Sequence, residues 1–130
     1  MENYFKINAK LPSLNDYTNA CRANKYNGAK FKEEVEEVIG WAIRGAVCAR
    51  TLRPTQKPVN IFFEWHEKTK KRDADNIASA KKFILDAMQK HGIIPNDNRK
   101  FVKGFRDEIV DDTKNFVYVQ IIEIAEEAKC

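Results

Sequence analysis

Between Phe31 and Val47 the apolar residues fall on a single helical stripe. Phe31, Val35, Val38, Ile39, Ala42, Ile43, Ala46 and Val47 are spaced i, i+4, i+7, i+8, i+11, i+12, i+15 and i+16. A stripe this long commits the chain to one amphipathic helix that must lie on another layer. Glu33, Glu34, Glu36 and Glu37 occupy its first turns, where the helix dipole favours acids. After Pro54 and Pro58 the period changes from 3.6 to 2. Val59, Ile61, Phe63 and Trp65 alternate with Asn60, Glu64 and His66, which predicts a strand with one buried face.

The remaining elements follow from the same rules. Tyr4 to Leu11 alternates loosely and reads as a first strand, and the polar stretch Pro12 to Gly28 reads as a long loop. A second helix is expected from Asp75 to Lys90, with Ile77, Ala80, Ile84, Ala87 and Met88 on its buried side. Gly92 stands at its C′ position, and Pro95 prevents continuation. Phe101 to Val110 and Asn115 to Ile124 read as strands, and the turn Asp111-Asp112-Thr113-Lys114 suggests an antiparallel hairpin between them. Glu126 to Cys130 is expected to fray. The order β-α-β-α-β-β indicates an α/β (α+β) fold in one small domain over residues 1–130, with helices packed on a mixed four-stranded sheet. Of the aromatic residues, Phe62, Phe63, Trp65, Phe116 and Tyr118 are expected in the core, leaving Tyr17 and Tyr26 in the polar loop as candidate binding contacts.

The chain's 130 residues carry a formal charge of +4. The distribution is more informative than the sum. From His66 to Arg106 there are eleven Lys/Arg against five Asp/Glu, a net of +6, while the remainder is slightly acidic. A basic middle between near-neutral ends is the footprint of a polyanion-binding surface, although a solvated charged face gives the same pattern. Cys21, Cys48 and Cys130 form no CxxC pair and are odd in number, so reduced thiols are expected rather than a disulfide framework or a zinc site. No apolar run approaches the ~20 residues of a spanning helix, and the first residues lack the order of a signal peptide. The expectation is a cytoplasmic protein with no membrane partner.

The chemistry concentrates in Lys68-Thr69-Lys70-Lys71-Arg72-Asp73-Ala74-Asp75-Asn76, at the passage from strand to helix. An extended Asp-x-Asp places both carboxylates on one side of the backbone, where they can flank a hard cation such as magnesium. The structural alternative is that Asp75 is an N-cap and Asp73 a charge complementing the helix dipole; for an isolated Asp-x-Asp that is the commoner case. Lys68, Lys70, Lys71 and Arg72 lie just upstream, as a phosphate backbone approaching the carboxylates requires. Lys82, seven residues after Asp75, shares nearly the same helix face and can stabilise charge on a scissile phosphate, or serve as a solvated surface lysine. Asp97 is the only acid between Asp86 and Asp107, in a polar turn followed by bases; a plain turn aspartate is its alternative role.

Taken together, Arg72-Asp73-Ala74-Asp75-Asn76, Lys82-Phe83-Ile84-Leu85-Asp86-Ala87-Met88, Gly92 and Asn96-Asp97 resemble the signature of the RusA-type Holliday-junction resolvases. Leu11-Pro12-Ser13-Leu14-Asn15 resembles that family's N-terminal Leu-Pro-x-x-Asn turn. The resemblance implies a homodimeric, magnesium-dependent endodeoxyribonuclease that nicks four-way junctions in paired strands, with Mn2+ as a substitute ion. It implies a metal site of Asp73, Asp75 and Asp97 and a catalytic Lys82. DNA contacts fall to Lys68, Lys70, Lys71, Arg72, Asn76, Arg99, Lys100, Lys103 and Asn15, with Arg106 helping to hold the arms; no membrane or further protein partner is implied. One departure is an insertion of about three residues between Asp75 and the lysine, which moves Lys82 ~4.5 Å along the helix while keeping its face. Asp86 lies on that face too and can pair with Lys82 at i, i+4.

The metal trio raises a problem of reach. A helix of about sixteen residues separates Asp75 from Gly92 by roughly 24 Å, whereas the five residues to Asp97 span at most ~18 Å. A two-fold dimer that brings Asp97 of one subunit to Asp73 and Asp75 of the other resolves it. Rival readings are a nuclease for flaps or forks, a junction-binding protein without catalysis, and a nucleotide-processing hydrolase. The last lacks a Gly-rich phosphate loop, since the five glycines are scattered.

Overall fold

In the computed structural model, which describes residues 2–124, the long apolar stripe lies on the inner face of a sheet as far as Ala46, while Val47 at its end is exposed. The elements in chain order are β1 (Tyr4–Ile7), α1 (Leu14–Ala23), α2 (Lys25–Cys48), β2 (Val59–Glu67), α3 (Ala74–Ala78), α4 (Lys81–Lys90), β3 (Val102–Asp111) and β4 (Phe116–Glu123). The sheet order is β1-β4-β2-β3, with β4 antiparallel to both β1 and β2, and β3 parallel to β2. This is the expected α+β arrangement on a mixed four-stranded sheet. A parallel pair needs a long crossover, which α3 and α4 supply between β2 and β3.

The helices cover one sheet face. Phe5 and Ile7, Ile61, Phe63 and Trp65, and Val117, Val119 and Ile121 meet Ile39 and Ile43 of α2 and Phe83, Ile84 and Met88 of α4 in one core. Each fully buried aliphatic side chain contributes roughly 1.5–3 kcal/mol of transfer free energy. The other face carries no helix, and there Phe62, Phe116 and Tyr118 are only half-buried, against the expectation that they fill the core. No helix among the described residues is long and apolar enough to cross a membrane. Cys21 and Cys48 are free and exposed, while Cys130 and the fraying expected from Glu126 onward lie outside the described residues.

Four local expectations are corrected. The first strand ends at Ile7, short of Leu11, which is buried in the core beyond it. The polar stretch from Pro12 is not a loop but α1 followed directly by the start of α2. Ser13 caps α1 through a reciprocal pair with Asp16 (Ser13 Oγ accepts from the Asp16 N–H at 3.2 Å, Asp16 Oδ2 from the Ser13 N–H at 2.9 Å), and Asn24 caps α2 by accepting from the Asn27 N–H at 2.7 Å. None of α1's residues is fully buried, and its apolar side is short, Leu14, Tyr17 and Cys21 among polar neighbours. Third, β3 and β4 do not form a hairpin. They flank β2, and the chain between them passes over the end of β2, where the Asp112 N–H donates to the Glu67 carbonyl at 3.0 Å. Fourth, the helix expected from Asp75 to Lys90 is two helices, broken at Ser79-Ala80, where Ser79 Oγ donates to the Asn76 carbonyl at 2.6 Å and accepts the Leu14 N–H at 3.1 Å.

The end of α4 is as expected. Gly92 has φ +73°, the Gly92 N–H donates to Gln89 O at 3.0 Å and the Ile93 N–H to Met88 O at 2.8 Å, closing a Schellman motif over the buried Ile93. A Cβ on Gly92 would meet no neighbour, and neither would one on Gly45 in the interior of α2. The two glycines therefore separate backbone strain from helix propensity. Gly92→Ala is expected to lower unfolding free energy by about 1 kcal/mol and Gly45→Ala to raise it by roughly 0.5–1 kcal/mol. Urea denaturation of the two variants, with opposite signs, checks this.

Candidate active site

The C-terminal end of β2 gathers the two segments singled out in the sequence. Arg72 turns inward, half-buried. Its Nη1 donates to the Leu11 carbonyl at 2.9 Å, and its Nε lies 3.2 Å from Oε1 of the buried Glu67, an ion pair misaligned for a hydrogen bond. Asn15 Nδ2 donates to Asn76 Oδ1 at 3.2 Å. Residues 61 positions apart thus become neighbours, and the Leu11–Asn15 turn is laid beside Asp75-Asn76.

Asp73 occupies the N-cap position of α3 with extended backbone (φ −72°, ψ 151°), yet its side chain makes no capping bond. Asp75 lies in the first helical turn. The Asp-x-Asp is therefore not extended throughout; both carboxylates gather at one helix start. Both are exposed, and among the described residues neither has a hydrogen-bond or ion-pair partner. No capping bond accounts for Asp73, while Asp75 stands in the first turn, where the helix dipole favours an acid.

Asp97 follows a loop that turns back along α4, and its Oδ2 lies 3.3 Å from Lys82 Nζ in the same chain; Asp86 Oδ1 lies 3.0 Å from the same ammonium. The contact needs no second subunit, because Lys82 reaches out from the first turn of α4. Hydrogen bonding to Asp86, and then to Asp97, raises the Lys82 pKa above lysine's ordinary 10.5, against a partial desolvation that lowers it. Three charges, one positive and two negative, leave this cluster net acidic. Among the described residues no three His, Cys, Asp or Glu side chains are grouped as a ready metal cage. Asp73 and Asp75 both lie at the start of α3, while Asp97 is joined to Lys82.

The bases assigned to DNA divide. Lys68, Lys70 and Lys71 are exposed on the segment leading to Asp73, with Lys70 in a loose 3.8 Å pair with Asp111 and the Lys68 N–H donating to Asn115 Oδ1 at 2.7 Å. Arg99 and Lys100 are exposed before β3, and Lys100 Nζ sits 5.4 Å from the Phe101 ring centre. Lys103 is exposed at a bulge, since Val59 pairs with Val102 and Asn60 with Gly104. Arg106 lies on the helix-free sheet face, over the Phe62 ring and paired with Glu108 at 2.6 Å, away from these. Tyr17, expected at DNA, instead packs between Phe31 and Phe83; Tyr26 is exposed.

Sequence reasoning missed a cluster at the same end of the sheet. His66 Nδ1 is 2.7 Å from Asp112 Oδ2, its Nε2 contacts Glu64, and its ring stacks on Phe116. The His66 contact, then the Thr113 N–H, holds the Asp112 carboxyl below its ordinary 3.8. The β2 alternation places Glu64 and His66 on one face, so that half was readable; Asp112 was not. No protein-family model matches the chain, and no curated protein matches it.

The Lys82 cluster gives an ordered prediction. In a side-chain NMR titration Lys82 should deprotonate above 10.5, with Asp86→Asn lowering the midpoint more than Asp97→Asn. Because the folded value is raised, the pairing's contribution to stability is fully present below pH 10.5 and fades only as pH climbs through the raised value.

Proposed function

We propose that the chain is a magnesium-dependent endonuclease that cuts branched DNA, a four-way junction in the first place, acting as a homodimer of the RusA type. The observation that carries this reading is the Asp73–Asp75 pair, two exposed carboxylates at the start of α3 without a partner among the described residues. They face solvent beside Lys68, Lys70 and Lys71, the surroundings a metal-bound phosphate diester requires.

The hard oxygen donors of Asp73 and Asp75 suit a divalent cation that retains waters; Asp97, the third carboxylate that the resemblance implies, is held by Lys82 and is not grouped with them, so it would join the ion only on release from that pair. Such an ion, Mg2+ or Mn2+, supplies polarisation of the phosphate and activation of water. The chain's own groups do the rest. Lys82 offers positive charge to the phosphate, and Asp86 and Asp97 fix where its ammonium sits. Arg72 sets the approach of Asp73 from inside the fold. The exposed bases hold backbone phosphates and carry no sequence information.

Cleavage of an end-labelled synthetic four-way junction, with linear duplex and flap controls, tests the reading. Paired nicks in the junction are expected with Mg2+ and none with chelator. Asp73→Asn and Asp75→Asn should each slow cutting roughly a hundredfold or more, the scale felt when a charge-stabilising group at a reacting centre is lost. Both should leave urea stability within about 0.5 kcal/mol, since neither carboxylate has a partner to lose. Junction binding without metal-dependent cutting would reject it; equal cutting of flaps would keep the chemistry and change the substrate. Replacing Lys68, Lys70 and Lys71 together by Ala should reduce the slope of log K against log salt by about 2–3, measured by fluorescence anisotropy.

A further inference from the structure

The sheet face that carries no helix is a regular grid fixed by strand register. One row runs Lys6, Tyr118, Glu64, Glu108 across β1, β4, β2 and β3; the next runs Tyr4, Gln120, Phe62, Arg106. The two rows are complementary end for end. A cation and a tyrosine stand on the β1 edge, and an acid and an arginine stand on the β3 edge at the same levels.

We infer that this face is the interface between two copies of the chain, related by a two-fold axis parallel to the strands. Such an axis lays β1 on the partner's β3 and β4 on the partner's β2 without changing rows. Lys6 then meets the partner's Glu108, Tyr4 stacks on the partner's Arg106, and the Tyr118 hydroxyl reaches the partner's Glu64. Every contact occurs twice, as an isologous interface requires.

Three observations favour a second copy over other occupants. The first is charge: Lys6 and Arg106 are balanced by Glu64 and Glu108, so the face lacks the positive excess that draws nucleic acid. The second is shape. Ile122 is 45% exposed, and a groove of about 420 Å3 opens between it, Phe62 and Gly104, where the missing side chain leaves room for the partner's Tyr4. The third is size. Four strands ~4.8 Å apart, with the four-residue β1 limiting the overlap on the partner's β3 at each edge, give a flat footprint of about 400 Å2, hence roughly 800 Å2 over both copies, which reaches the ~1,000 Å2 of a specific interface once side-chain relief is added. Two such sheets pack face to face within about 30° of parallel.

The choice of axis has a consequence for the proposed nuclease, and in this respect it rests on that reading. Rotation about the strand direction leaves the C-terminal ends of both β2 strands at the same end of the dimer. Both Asp73–Asp75 pairs then open toward one side, where a two-fold junction can present two strands for paired cuts.

Sedimentation equilibrium of the full chain, diluted from about 100 µM, tests the interface without using activity. Lys6 and Glu108 lie on the sheet's outer face, so charge reversal is not expected to disturb the fold, and circular dichroism confirms that each variant is folded. Lys6→Glu and Glu108→Lys should each weaken the dimer about tenfold, and the double variant should return to within roughly threefold of the parent. A monomer at the highest concentration overturns the proposal, as does a dimer indifferent to both reversals or a double variant no tighter than the weaker single. A monomer whose tyrosine fluorescence is quenched by oligo-dT overturns it in favour of a base-stacking surface. A dimer that follows the charge reversals yet never cuts DNA upholds the interface and removes the nuclease reading alone.

Discussion

The geometry of the candidate site depends on one interior ion pair. Arg72 reaches inward from the segment after β2 to the carboxylate of Glu67 and the carbonyl of Leu11. Glu67 is only 6% exposed, and removing one member of such a pair leaves an uncompensated buried charge, a loss of about 3–5 kcal/mol. Because Arg72 immediately precedes Asp73, this contact fixes where the chain enters α3. It also ties down the N-terminal turn, so the strand end, the helix start and the Leu11–Asn15 segment are held as one unit. A residue that reads in sequence as one more base for DNA is instead the pin that orients the carboxylates.

The consequence is a division of charge by depth. The inward arginine is spent on Glu67, while Lys68, Lys70 and Lys71 remain outside beside Asp73 and Asp75. Lys82 is compensated twice, by Asp86 and Asp97, so it presents a positioned rather than a free ammonium. The Glu64–His66–Asp112 cluster closes the same end of the sheet on its other face. Among the described residues, Asp73 and Asp75 thus remain without a partner where the chain turns from strand to helix, as Glu33, Glu34 and Glu37 do along α2.

How much was legible in the sequence depended on burial. The α2 stripe and the β2 alternation were readable because each element buries one face, and Gly92 was readable because glycine takes the positive φ that ends α4 without steric cost. The helix α1 was not, since it buries no residue and its polar caps, Ser13, Asp16 and Asn24, look like loop chemistry. The break at Ser79 depends on a hydrogen bond from Leu14, 65 residues away, and the placement of β4 between β1 and β2 leaves no local signature. At the site, the Asp-x-Asp and its basic approach were visible as a pattern. What the pattern withheld was that neither carboxylate has a hydrogen-bond or ion-pair partner among the described residues, that Asp97 joins Lys82 in its own chain, and that Arg72 faces inward.

The central claim is that Asp73 and Asp75 are free to hold a divalent cation. Paramagnetic broadening by Mn2+, followed in amide spectra of the full chain, tests it most directly. The account predicts that resonances around Asp73, Asp75 and Asn76 disappear first, that those around Asn15 follow, and that excess Mg2+ restores them. Broadening that begins at Asp111 and Asp112 or along Glu33, Glu34 and Glu37, and that Asp75→Asn leaves unchanged, would contradict it.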